Sequence, residues 1–122
     1  MNKFPSKCPE PAPQDRSFIC EIHQKLGCKD ELTKSFIAVV LIMIRVFDTK
    51  QCSYGPGNVA EFGETGVMIR ATDKIKRIIN LWRTGQKPIN ESIDDSYGDL
   101  AVYSAIALMC RWGLWPGVKN GN

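Results

Sequence analysis

Arg70, Lys74 and Arg77 stand three and four residues apart, a spacing that puts them on one side of a helix, with Asp73 among them. An arginine offers a planar fork of donors that fits phosphate oxygens, and a lysine offers a compact point charge, so this group has the chemistry to hold a small anion. The other reading of the group is a solvated helix face. A second set, Glu91, Asp95 and Asp99, is spaced by four and continues through Val102, Ile106 and Met109, so one helix face passes from acidic to apolar. Apolar residues that demand burial on the same side put these acids at the mouth of a cleft or at a subunit interface; the alternative is that they only solvate and cap the helix start. Ahead of both sets runs "YGPGNVAEFGE", residues 54–64. Gly and Asn tolerate left-handed backbone angles and Pro fixes its own φ, so Tyr54, Gly55, Gly57 and Asn58 read as a shaped loop. Such a loop lets backbone N–H groups approach an anion, and it brings Tyr54 to stack on a base or donate its hydroxyl. Asn58 then fixes the turn or touches the ligand.

Helices must position these groups. From Val67, the apolar residues Ala71, Ile75, Ile78, Ile79 and Trp82 recur at helical spacing, with the Arg70 group on the other side, and Gly85 and Pro88 end the segment. A last long helix starts near Asn90 as its cap, with Glu91 and Asp94 in the first turns where the helix dipole favours negative charge. Its other face carries Ile93, Tyr97, Leu100, Ala101, Ser104 and Leu108. The run "FIAVVLIMI", from Phe36 to Ile44, predicts a fully buried helix that starts near Asp30 and Glu31 and returns to water at Arg45, Asp48 and Lys50. "SFICEIHQKLG" predicts a short helix before it. Trp112 and Trp115, beside Gly and Pro, form a hydrophobic lid over the end of the bundle or a surface for stacking on a base.

These elements make an all-α chain. Its 122 residues and 43% hydrophobic content suit one helical domain over residues 17–122, preceded by a Pro-rich extension over 1–16. The last helix is apolar on two faces beyond Leu100, which predicts a homo-oligomer. A net charge of +3 without a Lys/Arg block argues against binding a nucleic-acid polymer, whereas a small anionic ligand needs much less. The longest apolar run is far shorter than the roughly 20 residues needed to span a bilayer, so no membrane partner is expected. Five cysteines, without framework spacing, and an opening stretch without the apolar core of an export signal favour free thiols in a cytoplasmic setting. Cys20, His23 and Cys28 lack the spacing of a zinc set, and the lone His23 reads as an ordinary helix or surface residue.

The order "YGPGN", "GVMIRATDKIKRIINLW" and "INESIDDSYGDLAVYSAIAL" resembles the nucleotide modification associated domain 1 family, common in phages and related to the all-α MazG-like nucleotide pyrophosphohydrolases. The pattern is carried by Tyr54 and Gly55, by Arg70, Asp73 and Lys74, and by Glu91, Ser92, Asp95, Asp99, Leu100 and Ala101. The resemblance implies a compact helical bundle of MazG-like type, completed by oligomerisation, that handles a phosphorylated nucleotide in the cytoplasm, a host cytoplasm if the chain is phage-encoded. In the wider superfamily, carboxylates from two facing helices hold Mg²⁺, which bridges phosphate oxygens and activates water. Asp73, Glu91, Asp95 and Asp99 would be that set here, although the earlier helix offers one acid where the superfamily has a Glu-Glu-x-x-Glu group. Two functions follow, beside a third reading in which these groups only join subunits. The first is a protein that binds and sequesters a small nucleotide through Tyr54, Gly55, Gly57, Asn58, Arg70, Asp73, Lys74, Arg77, Glu91, Asp95 and Asp99, with no cofactor. The second is a Mg²⁺-dependent nucleotide pyrophosphohydrolase.

Overall fold

The computed structural model describes residues 3–118, which form helices and turns with no strand. Helix α1 spans Pro13–Lys25 and α2 spans Leu32–Tyr54; α3 covers Gly57–Thr84 and α4 covers Ile93–Arg111. Each boundary has a local cause. Pro13 opens α1, where its missing N–H costs nothing. The Asp30 carboxylate accepts the Leu32 N–H at 2.8 Å and starts α2. Gly85, at φ 66°, turns the chain out of α3 in the left-handed conformation open to glycine.

Three expectations need correction. The shaped loop is shorter than its composition suggests. Tyr54 closes α2, only Gly55 and Pro56 break the helix, and Gly57 and Asn58 already belong to α3. Gly55, at φ 69°, makes the turn, and the following turn is helical because Val59 is drawn into the core. A second break falls inside α3 at Gly63, whose φ of 61° and ψ of −148° divide the helix into two pieces. Next, α4 is capped by Ser92 rather than Asn90. The Ser92 hydroxyl accepts the Asp95 N–H at 3.1 Å, while Asn90 sits at φ 70° in the turn before it. Finally, α2 is not fully buried within one chain. It hides Ile37, Ile42 and Val46, whereas Phe36 remains 68% exposed and Ile44 55%.

Packing follows the pairing of α3 with α4 and of α1 with α2. Val59 and Val67 of α3 meet Ile106 and Cys110 of α4, and Trp115 closes the cluster. The Trp115 indole N–H donates to the Pro56 carbonyl at 3.0 Å, and its ring meets the Phe47 ring edge-on at 6.1 Å. Trp115 is therefore the lid, whereas Trp112 is exposed. Of the α3 stripe, Val67, Ala71 and Ile78 are buried, and Ile75, Ile79 and Trp82 face outward. His23 is a buried structural residue of α1 whose Nε2 bonds the Asp30 carbonyl at 2.8 Å.

The Pro-rich N-terminal segment lies against α4. The Phe4 N–H donates to Asp95 Oδ1 at 2.5 Å, the Lys3 ammonium donates to the Asn90 carbonyl at 3.2 Å, and the Phe4 ring lies over Gly98. A Cβ on Gly98 would stand 2.2 Å from that ring, so only glycine admits it. The proposed domain limits at residues 1 and 122 lie outside the described residues. All five cysteines are free thiols. Among the described residues, no helix is long and apolar enough to cross a membrane.

Candidate functional site

A cleft of about 510 Å³ opens where α2, α3 and α4 converge. From α2 come Phe47, Lys50, Gln51 and Tyr54; from α3, Asn58, Arg70 and Lys74. Glu91, in the turn before α4, and Asp99 and Tyr103 on α4 complete its polar and aromatic lining. Val46, Val59, Val102 and Ile106 form the apolar remainder, so the cleft pairs an apolar wall with a charged one.

The charged wall is a connected chain. Lys74 Nζ lies 2.8 Å from Glu91 Oε1 and 3.0 Å from Asp99 Oδ2, and Lys50 Nζ lies 2.9 Å from Asp99 Oδ1. Glu91 Oε1 also accepts the Ser96 hydroxyl at 3.2 Å. Arg77 turns away from the cleft and braces the start of α4, donating to Ser96 Oγ at 2.6 Å and to the carbonyls of Ser92 and Glu91. These bonds matter because Ser96 is fully buried and Asp99 is only 8% exposed, and buried polar groups must be paired. Burial works against the charge on Lys74, yet its bonds to Glu91 and Asp99 outweigh that and hold its pKa above the ordinary lysine value.

The residues expected from the sequence divide into two groups. The cleft collects Tyr54, Asn58, Arg70, Lys74, Glu91 and Asp99. Gly55 makes the break beside it and Gly57 opens α3; neither lines it. Asp73 is exposed on α3, Arg77 serves α4, and buried Asp95 accepts the Phe4 N–H. Lys50 was expected only to return α2 to water, but it sits inside the cleft. Its signal was present: Ile42, Val46, Lys50 and Tyr54 succeed one another by four, so the buried stripe of α2 runs directly to it. Phe47 and Tyr103 were also missed, and each follows such a stripe by one position.

Mg²⁺ takes oxygen ligands in near-octahedral order and is often held by one or two carboxylates beside water and phosphate, and the carboxylates of the cleft are Glu91 and Asp99. Among the described residues, no three His, Cys, Asp or Glu side chains come together to hold a metal ion. Between Glu91 and Asp99, the place of a cation is taken by the Lys74 ammonium.

The family model for nucleotide modification associated domain 1 matches residues 63–110. That stretch runs from the Gly63 break to the end of α4; it holds Arg70, Lys74, Glu91 and Asp99 and stops short of Lys50, Tyr54 and Asn58. No curated protein and no solved structure gives a match.

Proposed function

We propose that this protein binds a small phosphorylated nucleotide in the cleft between α2, α3 and α4 and holds it without consuming it. The observation that carries the reading is the Lys74 ammonium bridging Glu91 and Asp99: the acids of the cleft already have a cation from the chain itself. A metal would have to displace it. Arg70 meets phosphate from one side, and Phe47, Tyr54 and Tyr103 supply aromatic surface for a base. The match to nucleotide modification associated domain 1 over the stretch holding Arg70, Lys74, Glu91, Asp99 and Tyr103 supports a nucleotide as the ligand. In this reading the protein is a phage-type homo-oligomer that sequesters or handles a nucleotide, or a nucleotide signal, in the cytoplasm.

A second reading, a Mg²⁺-dependent pyrophosphohydrolase of MazG-like type, draws on one observation: Glu91 and Asp99 approach the same Nζ atom, so withdrawal of Lys74 would leave two carboxylates facing one point. The two readings separate in a direct test. Small molecules released by heating the purified protein are identified by mass spectrometry, and any nucleotide found is incubated with fresh protein and Mg²⁺. Full recovery supports the binder; conversion to monophosphate and pyrophosphate supports the hydrolase.

A further inference from the structure

The charges lining the cleft are three cations, Lys50, Arg70 and Lys74, and two carboxylates, Glu91 and Asp99. Their pairing is specific. Lys50 is taken by Asp99, and Lys74 is shared between Asp99 and Glu91, at 2.8–3.0 Å throughout. Arg70 alone among the three has no ion pair or hydrogen bond with the described residues. One positive charge is thus left over, and it belongs to the side chain with the best phosphate geometry.

Resting on the nucleotide-binding reading above, we infer that the cleft selects a nucleotide bearing a single phosphate: Arg70 takes the phosphate, and the Lys50–Asp99–Lys74–Glu91 chain forms an already neutralised floor for the sugar and base. A metal-free triphosphate brings a run of negative charge into a cavity that holds two carboxylates. To serve the extra phosphates, Lys74 and Lys50 would have to leave their acids. Glu91 and Asp99, whose side chains are 31% and 11% exposed, would then be charged, poorly hydrated and unpaired. A single phosphate needs none of that rearrangement. Size agrees: about 510 Å³ is the scale of a mononucleotide and its contact shell, toward the lower half of the roughly 300–1,000 Å³ of small-molecule sites. The floor also supplies what a sugar and base edge require, since Glu91 and Asp99 accept hydrogen bonds and the two ammonium groups donate them.

The test is calorimetry on the full chain in EDTA at fixed ionic strength. The probes are the common ribo- and deoxyribonucleosides, their 5′-monophosphates and their 5′-triphosphates. For at least one base, the monophosphate is expected to bind at least tenfold tighter than both its nucleoside and its triphosphate. Arg70→Ala is expected to weaken monophosphate binding by about 10- to 100-fold, the loss of one charge-assisted contact, and to leave nucleoside binding unchanged. Arg70→Lys, which keeps the charge but not the fork, should fall between the two. Arg70 is exposed, so both variants should fold, with helical circular dichroism as the check. Triphosphates binding as tightly as monophosphates, or monophosphates binding no tighter than nucleosides, would overturn the single-phosphate inference while leaving nucleotide binding intact. Failure of every nucleotide to bind would overturn both.

Discussion

Lys74 is where the chemistry of the cleft and the stability of the fold meet. Its ammonium is bonded to two carboxylates, and these bonds raise its pKa above the ordinary 10.5. A lysine whose folded pKa exceeds its unfolded one contributes stability that is fully present below the unfolded value and is lost as pH rises through the folded one. The wild-type protein is therefore expected to lose stability above about pH 10.5, and Lys74→Met to lose less across the same window. Urea unfolding at pH 8 and at intervals to pH 11.5 measures both. At pH 8 the substitution should cost about 1–3 kcal/mol, because it leaves Glu91 and Asp99 without their shared donor. An unchanged pH profile in Lys74→Met would show that the bridge contributes nothing to the fold.

Elements deliver these residues with differing fidelity to their sequence signals. The helix of Arg70 and Arg77 and the helix of Asp99, with Glu91 in the turn just before it, were legible from apolar spacing and stop signals, and so four of the cleft's charged residues were legible with them. Three-dimensional choices were not. Spacing puts Arg70, Lys74 and Arg77 on one side of α3, but Arg77 reaches Ser96 and the α4 start while Arg70 stays in the cleft. Asp95 and Asp99 share a face of α4, yet the N-terminal segment takes Asp95. That segment reads as Pro-rich and without periodicity, so only the missing side chain of Gly98 hints that something lies over it. Gly98→Val would place its side chain against the Phe4 ring, and a rigid contact of this kind costs about 1–3 kcal/mol unless the segment lifts away. Lifting is the expected outcome, since Phe4 is held by few bonds. Hydrogen exchange of the Phe4 amide should accelerate at least tenfold in Gly98→Val, with α4 amides beyond Val102 unchanged. Retained protection at Phe4 together with loss throughout α4 would instead mean that the segment is integral to the bundle.

At the scale of the whole molecule, the helices present apolar surface that one copy leaves open. Phe36 on α2 and Phe62, Ile69 and Trp82 on α3 are each more than 60% exposed. A contiguous exposed apolar patch marks an interaction face, and we propose that these side chains contribute to one between copies of the chain. The unburied half of α2 belongs to one continuous apolar run in the sequence: hydropathy patterning states that a face is apolar without stating what covers it. Light scattering at micromolar concentration is expected to give a multiple of the 13.7 kDa chain mass, and Trp82→Lys to shift the distribution toward the single chain. A wild-type monomer would contradict this. The central claim, that the cleft holds a nucleotide with the chain's own cations rather than with metal, has a more direct measurement. Titration calorimetry is run with the nucleotide recovered from the protein, once in Mg²⁺ and once in EDTA. Affinities equal within about threefold are the expected result, because Lys74 already satisfies Glu91 and Asp99. Binding that weakens tenfold or more in EDTA would show that a metal bridges phosphate to the acids and would contradict the claim.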